Sequence, residues 1–188
     1  MTHRMFYRLS GDSGQEVRLT VWFVLALALG PMVFPTPVLA QKIGNNSCVE
    51  PGACPGNTGS IKNNSCNADA ACAFNDAAIG NNSCNGPEAC LASGNTINNN
   101  SCNGQSACVE NSGVVGNSSC VGSAACSDNT GVVGNNSCRG DGACGTNDGT
   151  IGNNACVGIA ACRNNSGNIG SGQCIGDHVC ENNAANKP

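Results

Sequence analysis

Aromatic side chains are nearly missing from this sequence: its 188 residues include one Trp, one Tyr and four Phe. Tyr7, Trp22, Phe6, Phe23 and Phe34 all precede residue 41, which leaves Phe74 alone in the remainder. That excludes a core of the usual aromatic and aliphatic kind over most of the chain. Charge is scarce as well, at 11% of residues. After Ala40 the basic side chains are Lys42, Lys62, Arg139, Arg163 and Lys187, against twice as many acidic ones, so nucleic acid and anionic membrane surfaces are excluded as partners. Histidine is almost absent, with His178 the only one after the leader. Asp69, Asp141 and Asp177 recur at one repeat position but in units far apart, so no acid–base pair can be assembled. An enzyme is not expected, and neither is a cofactor.

What the chain has instead begins with a leader. No charged side chain occurs from Leu19 to Gln41, and Arg4, Arg8 and Arg18 precede that run. This is the layout of a secretory signal, with Val38-Leu39-Ala40 placing cleavage between Ala40 and Gln41. Residues 1–40 are read as the signal peptide and 41–188 as the exported domain. A retained membrane anchor is the competing reading, opposed by Pro31, Pro35 and Pro37, which cut the apolar helix short. After cleavage no membrane association is expected. The location is secreted, extracellular or at the cell surface, with the periplasm as a variant of the same export.

Residues 43–186 divide without insertion or deletion into units of 18, starting at Ile43, Ile61, Ile79, Ile97, Val115, Val133, Ile151 and Ile169. Their consensus is I/V-G-N-N-S-C-x-G-x-x-A-C-x-x-N-x-G-x. Gly, Asn and Ser dominate and good helix formers are few, which excludes a helical repeat. Gly and Asn suit corners, and the start of each unit reads as a short strand with alternating faces. The expected fold is therefore all-β, a single-stranded β-solenoid (β-helix) of eight coils. At about 4.8 Å per coil it would be a rod roughly 40 Å long. Asn recurs at the third and fifteenth positions, each time with one interruption, as expected of stacked amides that satisfy corner backbone groups.

All 16 Cys fall at the sixth and twelfth positions: Cys48 and Cys54, Cys66 and Cys72, Cys84 and Cys90, Cys102 and Cys108, Cys120 and Cys126, Cys138 and Cys144, Cys156 and Cys162, Cys174 and Cys180. In an exported chain they form a disulfide framework rather than a metal centre. Sequence alone leaves many pairings open. Bonding between neighbouring coils would strand Cys48 and Cys180, so a bond within each coil is favoured, contributing about 2.4 kcal/mol by loop entropy for a seven-residue loop.

One Cys pair with five intervening residues per short coil resembles the disulfide-ribbed β-helical antifreeze proteins of beetles. The resemblance covers Cys pairing and small-residue composition. It implies a ribbed β-helix and, as an alternative function, ice binding, although the period is longer here and a regular Thr-x-Thr array is missing. I-G-N-N-S is similar to turns in trimeric bacterial adhesin heads. G-N-N-S-C-x-G, beginning at Gly44, is similar to calcium-binding nonapeptides, but Asn stands where the ligand Asp should be.

The expected role is a non-enzymatic structural or interaction rod with an unknown ligand. Soft-metal binding by reduced thiolates is a further alternative. Pro51 and Pro55 are expected to block strand addition locally at the first coil, and the otherwise uncapped ends to allow end-to-end self-association.

Overall fold

A computed structural model describes residues 42–188, all within the compact unit Val38–Pro188. The expected cleavage site at Ala40 and Gln41, and the leader before it, lie outside the described residues. No helix occurs among the described residues. Three two-residue strands, β1 (Val114–Val115), β2 (Val132–Val133) and β3 (Thr150–Ile151), form a parallel sheet in chain order. Its register pairs each residue with the one 18 positions on, Val115 with Val133 and Val133 with Ile151. Isolated bridges extend this row in both directions, from Ile43 with Ile61 to Ile169 with Lys187. A second row joins Val121, Arg139, Val157 and Ile175, at the seventh position of units five to eight.

The strands are short because the backbone turns soon after them. Among the described residues twenty-eight non-glycine residues have φ between 47° and 60°, and all of them fall at unit positions 4, 6, 10 and 14. Where one of these positions lacks a side chain it is Gly52, Gly56, Gly142 or Gly172, again with positive φ. The strand expected at the start of each unit ends at the first position, as β1 does at Val115, and by the fourth position Asn46 and its equivalents already lie in the left-handed region. Asn tolerates that conformation well, whereas Ala and Thr pay about 1 kcal/mol or more.

Between units the backbone bonds alternate in direction. The sixth-position amide donates forward, as from Cys66 to the Ser83 carbonyl at 3.0 Å. The twelfth-position amide donates backward, as from Cys90 to the Ala71 carbonyl at 2.7 Å. Side chains add three columns. At position 3 the Asn Oδ1 accepts from the preceding unit's backbone, as Asn99 does from the Asn81 amide at 2.8 Å. At position 15 the buried Asn amides link directly, Asn147 Nδ2 donating to Asn129 Oδ1 at 2.8 Å and to the Gly149 carbonyl at 3.0 Å. At position 5 the Ser hydroxyl donates to the following unit, Ser65 to the Gly80 carbonyl at 2.7 Å, and accepts from that unit's Ser83 amide at 3.1 Å. No buried side-chain nitrogen or oxygen among the described residues lacks a partner.

The expected proline block does not operate as supposed. Amides at position 13 serve turns inside a unit, such as Ala73 to the Ala70 carbonyl, so Pro55 removes no bond between units. Its carbonyl still accepts from the Phe74 amide at 2.8 Å. Pro87, at the same position as Pro51, likewise accepts from Ser106 at 2.9 Å.

Close approach of successive units favours glycine at position 17, which holds it in five of the eight units. A Cβ on Gly131 would run into the Gly149 carbonyl oxygen and lie 2.6 Å from Asn147 Nδ2. Ala77 occupies the same position beside the unit 79–96, where Ser93 replaces the ladder Asn, and Asn95 and Ala185 occupy it in the third and eighth units. We expect Gly131→Ala to destabilise the oxidised protein by about 1–3 kcal/mol. Thr146 has φ 57° and is exposed, so Thr146→Gly should raise the thermal midpoint, relieving about 1 kcal/mol of strain. Calorimetry of both variants checks these signs.

Candidate functional site

The interior is built around sulfur. Position 1 supplies Ile or Val, position 11 Ala, and positions 6 and 12 the cystines; from Ile61 to Cys162 these are at most 2% exposed. Each sixth-position Cys has φ between 55° and 60°, which swings its Cβ inward toward the twelfth-position partner. The structure joins the two within every unit, from Cys48–Cys54 to Cys174–Cys180, with Cα–Cα separations of 5.4–5.7 Å. No cysteine is free. Cys174 and Cys180 are slightly accessible, at 7% and 5%, and Cys48 and Cys54 are half-buried.

Sulfurs of neighbouring units also approach one another. In four groups, three Sγ atoms lie within 4.8 Å: Cys66, Cys72 and Cys84; Cys102, Cys108 and Cys120; Cys120, Cys126 and Cys138; Cys162, Cys174 and Cys180. Three soft donors at that spacing could ligate a soft cation only as thiolates. All are bonded as disulfides, so the soft-metal alternative needs reduction before any ligand exists.

Two of the three carboxylates at position 9 are drawn into the scaffold, while Asp69 faces Pro51, which has no amide to donate. Asp141 Oδ1 accepts from the Ser123 amide at 2.9 Å and Asp177 Oδ1 from the Ile159 amide at 2.7 Å. His178 lies on the surface, with Nδ1 2.8 Å from Glu181, whose other oxygen is 3.8 Å from Arg163 Nε. His178 and Arg163 are exposed and Glu181 is partly buried between them. A shallow groove runs beside Lys42, Ile43, Ser60, Ile61 and Lys62, with no convergent acid or nucleophile.

One face is regular. Positions 16 and 18 point outward on either side of the small residue at 17, presenting Thr130 and Val132, then Asp148 and Thr150, along the β1–β3 sheet. Two of its hydroxyls are already engaged, Thr130 Oγ1 donating to Asp148 Oδ1 at 2.7 Å and Thr58 Oγ1 to Asp76 Oδ1. Exposed apolar side chains gather elsewhere, with Ile159, Ile175 and Val179 more than half exposed in the last two units.

Three features escaped the sequence reading: the Ser column, the Thr–Asp pairs and the second bridge row. The Ser column had a signal, since Ser fills position 5 in six consecutive units from Ser47 to Ser137. The Thr–Asp pairs had a weaker one, in that each Thr precedes its Asp by one period.

Eight disulfides are consistent with an extracellular protein. Among the described residues no helix is long and apolar enough to cross a membrane. No curated protein and no solved structure matches the chain. One family model matches it twice in tandem, over residues 36–122 and 111–187, the second match beginning in the fourth unit. The chain therefore belongs to the family described as a domain of unknown function, DUF7640.

Proposed function

We propose that residues 43–186 form a β-solenoid of eight disulfide-ribbed coils, exported after removal of the leader and acting as a non-enzymatic structural or interaction module. The observation that carries this reading is the use of polar groups. The Asn and Ser side chains and two of the position-9 Asp side chains that a catalyst would need are spent on bonds between units 18 residues apart. What is left outside is a surface of variable side chains on a repeated frame, suited to display rather than to turnover.

A rigid extracellular module should withstand proteolysis while its cystines are intact. We expect the oxidised protein recovered from culture medium to begin at Gln41, carry no titratable thiol and resist a broad protease. Full reduction should increase the cleavage rate by about 100-fold or more, because each rib constrains the chain by about 2 kcal/mol and the core has little else. Recovery with the leader attached in a membrane fraction, or equal digestion before and after reduction, would contradict the reading.

The face at positions 16 and 18 favours ice binding as a second reading, since it repeats every 18 residues and carries mostly small side chains, Thr130, Val132 and Thr150 among them. Asp76 and Asp148 work against it, as each is hydrated and holds a neighbouring Thr hydroxyl. Freezing-point hysteresis of the oxidised protein that disappears in Val132→Lys would establish ice binding at this face. No hysteresis at millimolar concentration would leave the interaction module alone.

A further inference from the structure

Ribs of units two and three, four to six, and seven and eight bring sulfurs of neighbouring units close together. We propose that the buried sulfurs form a path for thiol–disulfide exchange between neighbouring units, so that an electron pair delivered to one disulfide passes to the next inside the folded protein. This is a redox activity additional to the module proposed above, and it depends on the disulfide geometry rather than on any ligand of the outer surface.

The grouping of sulfurs gives the path a direction. Cys162 lies within 4.8 Å of both Cys174 and Cys180, while its own partner Cys156 falls outside that group. Exchange requires a thiolate to reach one sulfur of a disulfide while the other leaves on the far side. A thiolate at Cys180 is thus placed to attack Cys162: the Cys162–Cys180 bond forms, the Cys156–Cys162 bond breaks, and the electron pair leaves on Cys156, which takes up a proton. The number of disulfides is unchanged.

The same relation holds across units four to six. Cys120 lies with Cys102 and Cys108, outside whose group Cys126 falls; Cys138 in turn lies with Cys120 and Cys126, and Cys144 falls outside. A thiolate at Cys102 or Cys108 can displace Cys126 from Cys120, and Cys126 can then displace Cys144 from Cys138. Each leaving sulfur is therefore the next attacking sulfur.

Entry at the last two units is set by exposure together with grouping: Cys48 and Cys54 are half-buried but belong to no close group, whereas Cys174 and Cys180 are slightly open and lie beside Cys162. A water-soluble phosphine can supply the electron pair there, taking oxygen from water to become a phosphine oxide while the two sulfurs take protons.

The decisive test uses no reductant. Cys174→Ser leaves Cys180 as a permanent thiol beside Cys162. At pH 8, over hours, we expect the alkylation label to divide between Cys180 and Cys156 and a Cys162–Cys180 disulfide to appear in the peptide map. The label at Cys156 should exceed that at other interior cysteines by about tenfold or more, and its appearance should slow about tenfold per pH unit below the thiol range. Label confined to Cys180, with Cys156–Cys162 intact, would overturn the proposal. Should the variant fail to fold, a protein carrying Cys48→Ser and Cys54→Ser, which removes the most accessible disulfide, treated with less than one equivalent of phosphine decides instead. Label spreading from Cys174 and Cys180 to Cys156 supports the path, and label that never reaches Cys156 refutes it. Protease resistance of the oxidised protein is unaffected by either result, so this proposal and the functional one fail separately.

Discussion

The structure depends on a cystine that crosses each unit while its two ends are held by opposite neighbours. The sixth-position amide donates to the unit after it and the twelfth-position amide to the unit before it. A covalent bond of fixed reach therefore connects two hydrogen bonds pointing in opposite directions. Lateral width and axial spacing are set together, in an interior that offers only Ile or Val, Ala and sulfur. With side chains so small, a rib contributes through restriction of the unfolded chain more than through buried area.

Conformational strain is the counterpart of this arrangement. Four residues in each unit sit in the left-handed region, and Cys is one of them every time. Few sequences would hold so many L-residues there. They persist because bonds to neighbouring units anchor the backbone around them, an environment that over-determines its conformation. The Asn column at position 15 shows the same logic for polar groups, since its buried amides satisfy one another and the position-17 carbonyls together.

Much of this was readable in the sequence because a strict period converts each column into repeated evidence. The Cys spacing, the Asn columns at Asn45 and Asn57 onward and the interior roles of Ile61 and Ala71 all follow from register. What did not follow was backbone conformation at residues with no compositional mark. Nothing in Cys66 or Ala124 signals a positive φ, and a strand was expected where Asn64 already turns the chain. Proline at Pro55 was misread because its effect depends on which amides point along the axis, and only coordinates reveal that. The candidate site was legible as cystines, whereas the proximity of sulfurs across units depends on axial spacing, which no spacing along the chain encodes.

The register has a consequence for how such chains change length. Because partners lie 18 residues apart for backbone, Asn and Ser columns alike, losing or gaining one whole period restores every pairing one layer further along. Removing a single residue shifts all later partners at once, turning buried amides outward and ribs out of line. A change in length therefore preserves the columns only when it adds or removes whole units of 18 residues, whereas point changes at outward positions leave them intact.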